Sequence, residues 1–264
     1  MSQDTINEIQ FSANHPLKDP WNLWKIIGAR QETVEHVLEM LKVKASPNIL
    51  VLDAGSGHGA WSKLLSDKGY SVVGADVSSF HMKNSKKKYG AVSFLISDLL
   101  HAPFIQETFN VTFCSHFLHH FQNLQEVIAE INRVVKEDGE ILVYEPNGAN
   151  LVYRFTEMFK HILPRKIMQG IGVDSTNETI HQYNAYVAAF LAFGFKNVRT
   201  RFVNDDAQEA KFDSALAKTF LHTYGIPIGI TMMTRFLLFK LVVRIPNESL
   251  SRGNLIIHAI KTSY

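Results

Sequence analysis

Between Ile49 and Gly59 the chain reads ILVLDAGSGHG, a short apolar run, an acid, and then glycine at every second position. An apolar run of this length, bounded by turn residues, predicts a buried parallel strand. Gly55, Gly57 and Gly59 remove Cβ atoms where the backbone must bend into a helix and where a ligand can approach its N–H groups. The spacing is GxGxG with Asp53 just ahead of it, not the GxGxxG that seats a pyrophosphate on a helix N-terminus. A carboxylate two residues before the first glycine repels a pyrophosphate and suits a ligand that carries an ammonium group.

The next apolar run, SVVGADVS, ends on Asp76. An acid at the tip of a second strand accepts hydrogen bonds from ribose hydroxyls. A ribose joined to a cationic amino-acid tail describes S-adenosylmethionine. At these residues the chain resembles the class I, Rossmann-like S-adenosylmethionine-dependent methyltransferases, in particular the small-molecule branch that includes quinone-biosynthesis enzymes. The resemblance runs from about Ile49 to Asn147, with a weaker echo to Val203. LDAGSGHG resembles the first motif of that family and ADVSSFHM the second, which implies that Asp76 holds the ribose and Val77 packs on the adenine. ISDLLHAPF resembles the third, which implies that Asp98 lies near the adenine amino group, with Leu99 beside it in the binding set. FNVTFCSHFLHHF resembles the fourth, and LQEVIAEINRVVKEDGEILVYEPN the helix and strand that follow. Asn110 stands where the family usually has Asp, at a position remote from the cofactor, and His58 falls where the family varies.

The 264 residues suffice for one sizeable core with an elaboration. A 46% apolar and 20% charged composition is ordinary for a globular domain. The single cysteine, Cys114, rules out an internal disulfide framework and most multi-cysteine metal sites, and no metal is expected. MSQDTINEIQ has neither a basic start nor an apolar core, so the reading is a cytoplasmic protein. The net charge of +2 is too small to indicate nucleic acid. Residues 196–264 hold ten Lys and Arg against five Asp and Glu, a tilt read as a solvated surface.

Strands alternating with helices predict an α/β fold with a doubly wound sheet. The resemblance implies seven strands, mostly parallel, with an antiparallel last strand. The expected organisation is an N-terminal helical extension or lid over 1–47, a cofactor-binding core over 48–203, a helical insertion over 204–253 that covers the substrate, and a final core strand over 254–264. Trp21, Trp24 and Ile26 fall in the extension, as a lid over the cofactor or as plain core packing. Apolar spacing from Thr33 to Val43 predicts an amphipathic helix. Further helices are expected at Trp61–Lys68, closed by Gly69, at Ser79 to about Lys88, between Asn123 and Gly139, and at Glu178–Phe193, closed by Gly194. Predicted strands cover Val92–Ile96, Asn110–Ser115, Glu140–Tyr144, Lys196–Val203 and 254–261. Asp53, Asp76, Asp98, Ser115 and Glu145 then all fall at strand C-termini, where ligands of such sheets bind.

Ile226–Ile245 is almost wholly apolar, but Arg235, Lys240, Arg244, Pro227 and Gly229 argue against a membrane span. It is read as a core helix over the substrate pocket, or as an interfacial segment that receives an apolar or lipid-like acceptor. Methyl transfer from a sulfonium is an in-line displacement that needs a base only if the acceptor must lose a proton. His116, one residue past the fourth strand, is the candidate base; for His119 and His120 the resemblance implies packing under the cofactor loop. Asn/Asp-Pro-Pro-Tyr/Phe is absent after the fourth strand, where SHFL stands, and Cys114 follows Phe and not Pro. A small-molecule O-, N- or C-methyltransferase remains, with an NAD-dependent oxidoreductase and a non-catalytic cofactor-binding partner subunit as alternatives.

Overall fold

The computed structural model describes residues 31–154, 179–204, 237–238, 241–242 and 244–262. The apolar runs form β1 (Leu50–Ala54), β2 (Ser71–Asp76), β3 (Ser93–Ile96), β4 (Phe109–Ser115), β5 (Val135–Pro146), β6 (Phe195–Val203) and β7 (Asn254–Lys261). They make one sheet in the order β3-β2-β1-β4-β5-β7-β6. Strands β1 to β5 pair in parallel, and β7 runs antiparallel to both β5 and β6. This is the expected seven-stranded, mostly parallel α/β sheet. Strand β7 follows β6 in the chain but lies between β5 and β6 in the sheet.

Successive side chains of a strand point to opposite faces, and the two cores follow from that. One face carries Leu52, Ala54, Cys114, Ile141 and Val143, covered by α4 (Leu124–Val134) and α5 (Tyr183–Ala192). The other carries Val51, Val111, Phe113, Leu142 and Tyr144, covered by α1 (Gln31–Glu39) and α2 (Ala60–Asp67). Each buried large apolar side chain contributes about 2 kcal/mol. Helix α3 (Ser79–Lys88) flanks the β3 end and starts on Ser78, whose hydroxyl accepts from His81 N–H. A one-turn helix, α6 (Glu248–Ser251), leads into β7.

The caps divide into two groups. Gly69 and Gly194 follow α2 and α5 in left-handed conformation, as expected of C-terminal caps. Asn123 caps α4 by accepting from Gln125 N–H and reaches Glu126 through its side-chain amide. Gly139 does not close α4, because the helix ends at Val134 and β5 begins at once. The left-handed residue there is Asp138. A Cβ on Gly139 would lie 2.7 Å from the Val135 side chain and 2.8 Å from Lys136 O, so this glycine permits a close crossing instead. The Thr33–Val43 helix ends early, at Glu39, and the Glu178–Phe193 helix starts late, at Tyr183. Leu151–Leu163 is helical over its described part, 151–154. The tryptophans of the extension and most of the insertion lie outside the described residues.

A buried carboxylate ties the segment after α1 to the sheet. Glu140, in β5, accepts from Lys42 and Val43 N–H at 2.9 and 3.0 Å and from His258 Nε2, in β7, at 2.8 Å. Arg199 donates to His258 Nδ1, and a guanidinium can only donate, so the hydrogen-bond roles assign the imidazole proton to Nε2. Burial raises the Glu140 pKa, but these donors outweigh it and hold it below the usual value. Its contribution to stability is therefore present above the unfolded-state pKa near 4.5 and is lost as pH falls through the folded one. Glu140→Ala is expected to cost about 3 kcal/mol or more, read as a lower denaturant midpoint at pH 7 with an unchanged slope.

Candidate functional site

The glycine turn after β1 is held by its backbone. Gly55 and Ser56 N–H both donate to Ala75 O at the end of β2, and Gly59 N–H donates to Ser56 O. All three glycines have positive φ, 71°, 48° and 71°. Their missing Cβ atoms have different neighbours. At Gly55 a Cβ would lie 2.1 Å from the Phe117 ring, and at Gly59 it would lie 2.7 Å from Phe94; at Gly57 none of the described residues comes within 4 Å. Among the described residues Gly57 is thus the point where the turn opens, while its neighbours accept aromatic rings.

Asp76 adjoins that opening. One carboxylate oxygen accepts from Gly57 N–H at 2.9 Å and the other from Ser78 N–H at 2.8 Å. A carboxylate has about four acceptor positions, so each oxygen retains capacity for a ligand hydroxyl. Burial raises its pKa, against the pull of the two N–H donors. The His58 ring, in the turn, stacks on His81 with centroids 4.1 Å apart. Burial, with His81 adding, pushes the His58 pKa down to about 4, so it is neutral at pH 7 and leaves the Asp76 charge uncompensated.

Asp53 sits beneath the turn and is 1% exposed. Its carboxylate accepts from Ser62 Oγ, in α2, at 2.5 Å. Burial raises its pKa to about 7, with Asp76 adding and the Ser62 hydrogen bond opposing. Its carboxylate is thus closed to open contact. Val77 follows β2 and is half-buried. Asp98 caps a single 3-10 turn, Leu99–His101, by accepting from Leu100 N–H, and its other oxygen meets His101 Nδ1 at 3.2 Å. The Leu99 side chain points into the core.

Ser115 ends β4 half-buried, and His116 follows with a φ of 49°. That left-handed residue is secured by its N–H, which donates to Tyr144 O. The His116 ring is exposed, yet the surrounding protein mass, with His119 and His120, pushes its pKa down to about 4 against the pull of Glu145. Solvent at the exposed ring works against that depression. Glu145, at the end of β5, is fully buried. It accepts from Phe117 N–H at 2.6 Å, Leu118 N–H at 2.7 Å and His119 Nδ1 at 2.7 Å. Ser62 and Phe117 are additions to the residues that sequence reading selected, with no sequence signal to mark them; Glu145 was selected for its place after an apolar strand, and its pairing with His119 is what the structure adds.

The methyltransferase domain profile matches residues 52–143. Residues 52–143 are thus similar to a methyltransferase domain. The chain is 35% identical over 92 residues to malonyl-[acyl-carrier protein] O-methyltransferase of Hamiltonella defensa, covering 35% of this chain and 36% of that one. Over 147 residues it is 26% identical to demethylmenaquinone methyltransferase of Chlorobaculum tepidum, covering 54% and 58%. The chain thus spans less than two thirds of either relative. Its fold is that of phosphoethanolamine N-methyltransferase 2 of Haemonchus contortus, solved with phosphomonomethylethanolamine and S-adenosylhomocysteine. The TM-score is 0.65 at 16% identity, over 97% of this chain and 60% of that one. The strand order places the glycine turn, Asp76, Ser115 and Glu145 along one edge, at the C-terminal ends of β1, β2, β4 and β5.

Proposed function

We propose that this chain binds S-adenosylmethionine and transfers its methyl group to O, N or C of a small molecule. The carrying observation is the open face of Gly57 beside an Asp76 carboxylate with spare acceptor capacity on both oxygens. The residues fit the cofactor: Asp76 receives the ribose hydroxyls, and Gly55, Gly57 and Gly59 shape the turn. Asp53 supplies negative charge behind the amino-acid tail, and Val77 and Asp98 lie toward the adenine, while Leu99, whose side chain is in the core, has only its backbone to offer there. Ser115 and His116 lie on the acceptor side. When bound, the cofactor supplies an electrophilic methyl on a sulfonium. The protein's part is to hold the nucleophile in line and to keep water away.

The GxGxG spacing and Asp53 weigh against a dinucleotide. The named relatives methylate a malonyl group on an acyl-carrier protein and demethylmenaquinone, and a small-molecule acceptor without nucleic acid belongs to this reading. No helix among the described residues is long and apolar enough to cross a membrane. Leu237 and Leu241 are both helical and exposed, which supports an apolar or lipid-like contact within 226–245. A cytoplasmic location and the four-part division at 47, 203 and 253 belong to the same reading.

The test is incubation of the protein with a small-molecule extract and S-adenosylmethionine labelled with carbon-13 in the methyl group. A protein-dependent labelled product is expected. Its absence, together with no calorimetric binding of S-adenosylmethionine or S-adenosylhomocysteine, would overturn the reading.

A further inference from the structure

Between Asp76 and Asp98 the chain has no acid and four lysines, and all four fall on α3. That helix buries Met82 and Ser85 beneath it, with Tyr89 just past its end. Residues three and four apart share a helical face, so Phe80, Lys83 and Lys87 line the outward side, with Lys86 beside them, and all four are exposed. Lys88 is turned over the Tyr89 ring instead, 4.8 Å from its centroid. At the end of β3, an edge strand of the sheet, Ile96 is 52% exposed, and Phe80 is 43% exposed. Phe94 packs in the core on the α2 face, and a Cβ on Gly59 would meet both Phe94 and Ser85 of α3. Alternate residues of a strand share a face, so Ile96 emerges on the face that α3 covers. Ile96 also pairs in register with Asp76, where β2 ends and the chain turns into α3. Phe80 and Ile96 therefore stand at one end of that face, with the lysines behind them.

We propose that this face, through Phe80, Ile96, Lys83, Lys86 and Lys87, seats the protein on an anionic lipid surface. None of the three lysines is ion-paired among the described residues, so their charge is open to an outside partner. A nucleic acid answers the lysines but gives an aliphatic side chain such as Ile96 no place to go, and protein interfaces are depleted in lysine. A lipid surface answers both halves. Lysine ammonium groups meet the phosphates on flexible stems, and the aromatic and aliphatic side chains enter the boundary between headgroups and acyl chains. The seat adjoins the glycine turn, because the Phe80 ring lies 5.9 Å from that of His81, which stacks on His58. Docking there brings the C-terminal edge of the sheet to the lipid, where an apolar acceptor is held. The surface is separate from 226–245, and its binding to lipid does not depend on methyl transfer.

Flotation of the full chain with lipid vesicles tests the seat. Binding is expected to vesicles of phosphatidylcholine with about 30% phosphatidylglycerol, and to be weaker by about tenfold or more with phosphatidylcholine alone. Raising the salt from about 0.1 M to about 1 M should weaken it by a similar factor, since the Debye length shrinks from about 10 Å to about 3 Å. Each lysine close to such a surface is worth about fivefold, so Lys83→Ala with Lys87→Ala is expected to bind about 25-fold more weakly. Phe80→Ser with Ile96→Ser removes the apolar contact and is expected to bind about tenfold more weakly. All four side chains are exposed, and circular dichroism of both variants should match the parent.

No binding of the parent to anionic vesicles overturns the proposal, and so does equal binding to both kinds of vesicle or undiminished binding by either double variant. Leu237→Ser with Leu241→Ser is the counter-test. Vesicle binding lost there and kept in both α3 and β3 variants assigns the contact to 226–245 and overturns this one. A single-stranded oligonucleotide bound as tightly as the anionic vesicles, and released by the lysine substitutions, makes the patch a nucleic-acid site and overturns it too. Vesicle binding needs no cofactor, so absence of S-adenosylhomocysteine binding removes the methyl-transfer reading and leaves this result to stand or fall by itself.

Discussion

An Asp76→Ala variant is expected to bind S-adenosylmethionine about 100 to 10,000 times more weakly than the parent. Two charge-assisted hydrogen bonds to ribose hydroxyls, at about 1.5 to 3 kcal/mol each, set that range. The carboxylate also terminates Gly57 and Ser78 N–H, so its removal loosens the turn that receives the ligand. Asp76→Asn separates the two effects, since its oxygen keeps one acceptor while the charge is gone, and its loss should be intermediate. Calorimetric titration of parent and both variants with S-adenosylmethionine and S-adenosylhomocysteine reads the result, with circular dichroism confirming the fold. Affinity within threefold of the parent would show that Asp76 does not hold the ribose.

Asp53 is expected to make both ligand affinity and stability depend on pH, in opposite senses. Burial raises its folded pKa to about 7, from 3.8. Below pH 3.8 it is protonated folded or unfolded, and it costs nothing. As pH rises to 7 the unfolded chain ionises first, and stability falls; above 7 the whole burden is present. The bound is about 4 kcal/mol, at 1.36 kcal/mol per pKa unit. Asp53→Asn, which can still accept from Ser62 Oγ, removes the titration. The stability difference between parent and variant should therefore shift in favour of the variant by up to about 4 kcal/mol between pH 4 and pH 8. Denaturant titrations at the two pH values measure it, and an unchanged difference would show that Asp53 ionises freely. The cationic cofactor needs the carboxylate charged, so parent affinity should fall below pH 7, by at most tenfold per unit. The variant should bind weakly at every pH.

The chain's local pattern determined the sheet. Apolar runs with glycine and asparagine punctuation gave strands and helices within a few residues of their observed bounds, because side-chain period and capping chemistry act over one to four residues. The GxGxG spacing and the acids at the ends of β1 and β2 were legible for the same reason. Gly139 was misplaced as a cap, since its cause is a crossing with Val135 and Lys136 that no helix signal encodes. Only the tertiary structure decided which glycine of the turn is open among the described residues and that Asp53 is sealed against Ser62. It also decided that Phe117 rests on Gly55, and that Glu145 and not solvent holds His119, 26 residues away. Such contacts have no period. A buried carboxylate takes whatever donors the packed strands bring to it, and that choice is made when β4, β5 and their loops come together.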